Sequence, residues 1–135
     1  MPFVQRRITI LSIRRPRQLG VNEELQWFGS ALGLLGERDR DKSCFRLFLE
    51  LLKATKTHQG LSSDELAGRL RLTRPTVLHH LDTLQERGIV VHERKRYLLR
   101  DENLERLLGA LRQDMEEAMR QIEQAAREID QVLEL

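Results

Sequence analysis

The stretch "LTRPTVLHHLDTLQERGIV", residues 72–90, sets an arginine, threonine hydroxyls and two adjacent imidazoles at the start of a short amphipathic segment. These groups donate hydrogen bonds and carry positive charge. A guanidinium presents a planar fork of donors that suits phosphate or the edge of guanine, and 19 of the 23 basic residues in the chain are arginine. This is the chemistry of holding a polyanion rather than of making and breaking bonds. No combination of nucleophile, base and oxyanion donors stands out, and there is no Gly-rich phosphate loop. Cys44 is the single cysteine, and His58, His79, His80 and His92 have no metal-ligand spacing. The expectation is a chain that is not an enzyme and uses neither cofactor nor metal.

Charge is unevenly distributed over the 135 residues, whose formal net is +2. Residues 1–20 carry five arginines and no acid, residues 21–100 carry 14 basic against 11 acidic side chains, and residues 101–135 carry 4 against 10. A polyanion is expected to meet the first two-thirds, leaving the acidic last third for another task. An apolar share of 40% with 33% charged residues argues against disorder throughout, while only 4% aromatics means a core built mainly from Leu, Ile and Val. The apolar run Ile8–Ile13 is short and meets Arg14 and Arg15 at once, unlike a secretory signal. No stretch approaches the ~20 apolar residues of a membrane span. With one cysteine, a reducing cytoplasmic, nucleoid-associated setting without a membrane partner is expected.

These residues need elements to position them. "FVQRRITILSI", residues 3–13, is rich in β-branched residues and predicts a strand or an arm that extends on packing, before "RRPRQLG" breaks the pattern. Asn22 is expected to cap a helix carrying Leu25, Phe28, Leu32 and Leu35 on one face, with Gly36 as its stop. "ERDRDK", residues 37–42, reads as an exposed loop. Ser43 then caps "CFRLFLELLKA", with Phe45, Phe48, Leu49 and Leu52 inward and Arg46, Glu50 and Lys53 opposite. Ser62 or Ser63 starts a helix that buries Leu66, Ala67 and Leu70 and ends near Arg71, because Thr73 is a new cap and Pro75 belongs in a first turn. A second helix, 74–87, turns Val77, Leu81 and Leu84 inward and stops at Gly88. "IVVHERKRYLLR", residues 89–100, reads as a β-hairpin whose charged centre lacks Gly, Asn and Asp, so a tip wider than two residues is expected.

In this order of elements, "ELAGRL", "TRPTVLHHLDTL" and "ERGIV" resemble the winged helix-turn-helix of prokaryotic transcription regulators, most closely the ArsR-like group of bacteria and archaea, over about residues 44–100. The resemblance implies a mainly α fold and a partner in double-stranded DNA. The second helix of the pair would enter the major groove by its N-terminal part, with the hairpin as a wing on the backbone or minor groove. Thr73, Arg74, Thr76, Leu78 and His79 then face DNA: Arg74 toward guanine, Thr76 toward phosphate or base, Leu78 toward a thymine methyl. Arg94, Lys95 and Arg96 would reach phosphates from the wing, and Arg69 and Arg71 would add backbone contacts. The plainer alternative is that Arg74 and Thr76 only cap and solubilise a helix. Two departures are visible: the clustered ligands of the group's metal sensors are missing, and Leu78 stands where a small polar residue is common.

The tail has the most regular pattern. Leu104, Leu108, Leu111, Met115, Ala118, Ile122, Ala125, Ile129 and Val132 recur at alternating steps of four and three, a heptad that predicts a long coiled-coil helix. Asp101 can start it, and Gly109 is tolerable within it. Such a rod needs a partner, and self-association into a homodimer through these residues is the expectation. Three segments follow: 1–42, a basic arm and helix supporting the dimer; 43–100, the DNA-binding domain; and 101–135, the dimerisation helix. The reading is a dimeric, sequence-specific transcriptional regulator. The alternatives are an architectural chromatin protein of low sequence preference and a winged-helix protein interaction module. "RRITILSIRRPR" stays open between an arm that tracks DNA and a segment that packs in the dimer.

Overall fold

The computed structural model describes residues 4–18, 20–36 and 39–135. Phe3 of the expected strand and Glu37 and Arg38 of the expected loop lie outside that set. Contacts divide the chain into two compact units, Met1–Arg100 and Asp101–Leu135. The first holds α1 (Val21–Ala31), α2 (Ser43–Ala54), a 3-10 turn (Thr55–Thr57), α3 (Ser63–Leu70), α4 (Arg74–Glu86), β1 (Val90–Glu93) and β2 (Arg96–Leu99). The second is α5 (Leu104–Leu133).

The core of the first unit forms where α2, α3, α4 and the hairpin meet. Phe48, Leu47, Leu51, Leu66, Val77, Leu81, Leu84 and Ile89 are all fully buried. The α2 face is rotated from expectation: Cys44, Leu47, Phe48 and Leu51 go inward with Phe45, while Leu49 and Leu52 are half-buried. Seven of the first nine residues of "CFRLFLELLKA" are apolar, so neighbouring faces compete and long-range packing selects among them. Phe48 settles the choice by lying against both Phe28, at 6.2 Å, and Phe45, at 6.4 Å between ring centroids.

Several helix ends differ from the sequence expectation. Gly20, not Asn22, precedes α1, and the helix stops at Ala31 with Gly33 at φ +72°, a left-handed conformation that removes Gly36 from the role of stop. Ser43 is the first residue of α2 rather than its cap. The capping oxygens come from Asp39, whose carboxylate accepts from the Ser43 N–H at 3.1 Å and the Cys44 N–H at 2.9 Å. For α5 the cap is Asn103, accepting from the Arg106 N–H at 2.8 Å, while Asp101 accepts from the Glu102 N–H.

Residues 4–18 form no strand. They run as an arm tied by two backbone hydrogen bonds, Arg7 N–H to the Glu86 carbonyl at 3.0 Å and Leu11 N–H to the Ala31 carbonyl at 2.7 Å. Gly88, at φ +79°, closes α4 and lets the Arg6 side chain lie where a Cβ would stand. The Arg87 guanidinium donates to the Leu32 and Gly33 carbonyls at 3.2 and 2.7 Å, which fastens the end of α4 to the end of α1.

The hairpin pairs Val90 with Leu99 through Glu93 with Arg96, leaving Arg94 and Lys95 as a two-residue turn at φ +50° and +65°. The expected wider tip is therefore not formed. Two positive φ angles in sequence match the twist of a primed turn, and the register that buries Val90, Tyr97 and Leu99 enforces it despite the absence of Gly or Asn. Leu61 adds a third backbone segment beside β2, exchanging hydrogen bonds with Tyr97 at 3.0 and 2.8 Å.

In the second unit, α5 is 30 residues long, which at 1.5 Å per residue is about 45 Å. Gly109 does not interrupt it. Every residue from Met115 to Leu135 is exposed, including Met115, Met119, Ile122, Ile129 and Val132. No described helix is long and apolar enough to cross a membrane.

Candidate nucleic-acid interface

The turn between α3 and α4 is built from three residues, each with a local reason. Arg71 ends α3 in the left-handed region at φ +55°, and the Arg46 guanidinium donates to the Leu70 carbonyl at 2.9 Å, satisfying an acceptor that the helix end leaves open. Leu72 is half-buried. Thr73 then caps α4: its hydroxyl accepts from the Thr76 N–H at 3.3 Å and donates to the Thr76 hydroxyl at 2.8 Å. Pro75 sits in the first turn, where its missing N–H costs nothing.

The faces of α4 are sharply divided. Val77, Leu81 and Leu84 are completely buried. Arg74, Pro75, His79 and Asp82 are exposed, and Thr76 and Leu78 are half-buried. The Arg74 guanidinium has no hydrogen-bond or ion-pair partner among the described residues. It belongs to the first turn of α4, where the helix dipole adds partial positive charge. Asp82 was not among the residues singled out from the sequence. It extends the exposed face one turn beyond Leu78 and brings a carboxylate acceptor.

His80 is turned away from this face. Its Nε2 shares a hydrogen bond of 2.6 Å with the Ser43 hydroxyl, which is also 2.8 Å from Asp39. Burial lowers the His80 imidazole, as does His79, while Asp39 and Asp41 pull it back. Burial alone would raise the Asp39 carboxyl, but hydrogen bonds, chiefly from the Cys44 N–H and the Ser43 hydroxyl, hold it below its ordinary value. The network joins the start of α2 to the middle of α4, and Ser43 is buried within it. Beside it, burial pushes the Cys44 thiol up to about 11; Arg87 lowers and Asp39 raises it. Among the described residues no group of three or more His, Cys, Asp or Glu side chains could hold a metal ion.

The remaining arginines divide into free and engaged. Arg71, Arg94 and Lys95 are exposed. Arg69 is exposed and lies 3.7 Å from Glu50. Arg96 departs from the expected role: its guanidinium donates to the Gly60 carbonyl at 3.0 Å and lies 3.2 Å from Glu65, so it fastens the wing to α3 instead of extending from the tip. Within the heptad residues, Leu111 is buried and Leu104 half-buried, and Leu107, which the heptad reading omitted, is buried as well. The exposed seam comprises Leu108, Met115, Ala118, Ile122, Ala125, Ile129 and Val132.

Residues 41–93 match the model of a family described as a helix-turn-helix domain, a span that takes in α2, α3, α4 and β1. No curated protein and no solved structure matches the chain. The helix pair, its three-residue turn, the hairpin that follows and this match together make the middle of the chain a winged helix-turn-helix domain, with DNA as the partner the match supports.

Proposed function

We propose that the chain is a homodimeric, sequence-specific transcriptional regulator that reads the major groove with the N-terminal half of α4. The observation that carries this is the division of α4: one face is wholly consumed by the core, while the other offers Arg74 without a protein partner beside a capped helix N-terminus. Arg74 is assigned a bidentate contact to guanine, Thr76 a phosphate or base contact, and Leu78 a thymine methyl. Thr73, His79, Arg69 and Arg71 flank them, and Arg94 and Lys95 meet the backbone or minor groove from the wing. The exposed seam of α5 pairs two copies, which presents two reading helices to grooves one turn apart, ~34 Å, and favours a palindromic site. The setting is the cytoplasm of a prokaryote.

Selection from a random duplex pool tests this reading. The wild type is expected to enrich one short motif, and Arg74→Ala to relax the choice at one position in each half-site at a cost of ~1–3 kcal/mol. Equal weakening on all sequences would favour the architectural alternative. If duplex binding showed no dependence on salt, no phosphates would be neutralised and an interaction module would be the better reading.

The wing tip offers a second test in which stability and binding move in opposite directions. A non-glycine residue in the left-handed region costs roughly 1–2 kcal/mol, so replacing Arg94 and Lys95 by Asn and Gly is expected to raise stability by about 1 kcal/mol in urea denaturation. The same change is expected to reduce the slope of log affinity against log salt by about 2 for each half-site, and so by about 4 for the dimer, one for each lost phosphate contact. A more stable protein with an unchanged slope would remove the wing tip from the interface.

A further inference from the structure

The charges of α5 are not all in the same state. Glu117 pairs with Arg120 at 2.7 Å, Gln124 donates to Glu128 at 3.0 Å and Arg127 donates to Gln124 at 3.1 Å, all within the helix. Glu116, Glu123 and Asp130 have no ion-pair partner among the described residues. They recur every seven residues and so form one row along the helix. Between this row and the seam of Met115, Ile122 and Ile129 lies a second row, Met119, Ala126 and Leu133, whose members are also exposed. When the seam is covered by pairing, an apolar strip bordered by unpaired acids is left along one side.

The N-terminal arm carries the complementary pattern. Ile10 is 54%, Leu11 49% and Ile13 39% exposed, and they lead directly into Arg14, Arg15 and Arg17. Arg15 is engaged, paired with Glu24 and lying over the Trp27 ring at 5.7 Å. Arg14 and Arg17 have no ion-pair partner among the described residues. Arg6 and Arg7 reach the far end of α4, at the Gln85 carbonyl and the Glu86 carboxylate, which places that part of the arm at the opposite end of the helix from Arg74. Pro16 holds the segment extended. From Ile10 to Arg17 the chain can reach about 23 Å at ~3.3 Å per step, against about 21 Å from Glu116 to Asp130 along the helix axis.

We infer that residues 10–17 of one protomer lie along this bordered strip on α5 of a second copy of the chain, with Ile10, Leu11 and Ile13 on the Met119 row and Arg14 and Arg17 on the acidic row. The inference rests on the pairing of α5 proposed above. It gives the arm a role in the dimer rather than on DNA, and it gives the acidic tail a ligand within the assembly. The apolar contacts supply area and the charges supply register and choice of partner.

Charge reversal tests it in the full-length chain. Arg14→Glu with Arg17→Glu (arm-reversed) and Glu116→Arg with Glu123→Arg (helix-reversed) each replace exposed side chains. Either pair is expected to raise the dimer dissociation constant on the order of tenfold at low salt, with the difference shrinking at high salt. Mixing the two variants is expected to restore wild-type affinity as a heterodimer, because each reversed arm then meets a reversed helix. If one chain bearing all four substitutions recovers but the mixture does not, the arm contacts its own helix and the second copy is overturned as occupant. If dimer affinity is unchanged while duplex binding falls in the arm-reversed variant, the arm belongs to the DNA interface and the inference fails. A wild type that is monomeric in the same sedimentation experiment sinks the α5 pairing itself, a result distinct from the other two.

Discussion

Ile122→Asp is expected to raise the dimer dissociation constant by at least about 100-fold, equivalent to about 2.7 kcal/mol, while leaving the first unit folded. In the single chain Ile122 is 62% exposed, so an aspartate there costs the monomer little beyond a few tenths of a kcal/mol in helix propensity. In the proposed pair the same position would lie in the middle of the seam, and both copies would bring a carboxylate into an apolar contact where neither finds a partner. Desolvating such a charge costs several kcal/mol, and the assembly relieves it by dissociating. The consequence for DNA is larger than the change in any one contact. Two linked binding modules hold with an avidity that exceeds either alone by ~10²–10⁴, so on the proposed dimer affinity for a two-half-site duplex is expected to fall on the order of 100-fold with half-site affinity unchanged. Analytical ultracentrifugation and duplex titration separate the two effects. Truncation after Asn103 is the companion variant, and a shortened chain that stays dimeric refutes the role assigned to α5.

Leu81→Ala is expected to remove ~2–5 kcal/mol from the stability of the first unit. Leu81 is completely buried at the centre of α4, one turn from Val77 and from Leu84, so the vacated volume lies beneath this helix, where backbone relaxation is resisted from both sides. For a domain of about 100 residues each kcal/mol lowers the melting temperature by roughly 4–8 °C, so the midpoint is expected to drop by at least about 8 °C. An unchanged slope in urea denaturation would assign the loss to the cavity rather than to a change in the unfolded state. A loss below ~1 kcal/mol would mean that α4 is not seated as described.

The features legible in the sequence were those decided within a few residues. Thr73 caps α4 because its side chain, the backbone N–H it accepts from and the following proline all lie within one turn, and of the two serines the sequence offers for α3 it is Ser62 whose hydroxyl accepts from the Glu65 N–H. Val77, Leu81 and Leu84 were legible because, Leu78 and Pro75 apart, polar residues fill the other faces of α4 and leave it one apolar stripe to pack. Where a helix is apolar on most sides, as in α2, the sequence offers several faces and only Phe28 and Phe45 meeting Phe48 selects one. Leu61 beside Tyr97 and Arg96 fastened to Gly60 and Glu65 join residues brought together by chain reversal, which no local pattern encodes, whereas Asp39 caps α2 from only four residues before Ser43, inside a polar run that reads as loop. The wing tip shows the opposite effect: local preference pointed away from a two-residue turn, and cross-strand burial overrode it at the expense of two strained φ angles. In the candidate site, arginine-bearing positions were recognisable from composition, but which guanidiniums are engaged depends on carbonyls and carboxylates distant in sequence.

The lone cysteine has a practical consequence. Its side chain is 8% exposed and keeps its proton well above neutral pH. An alkylating reagent therefore meets no thiolate in the closed molecule and must wait for α2 to lift away from its neighbours. The rate at which label accumulates at Cys44 counts those openings, giving the chain an internal clock for local unfolding at the start of α2 that needs no added probe.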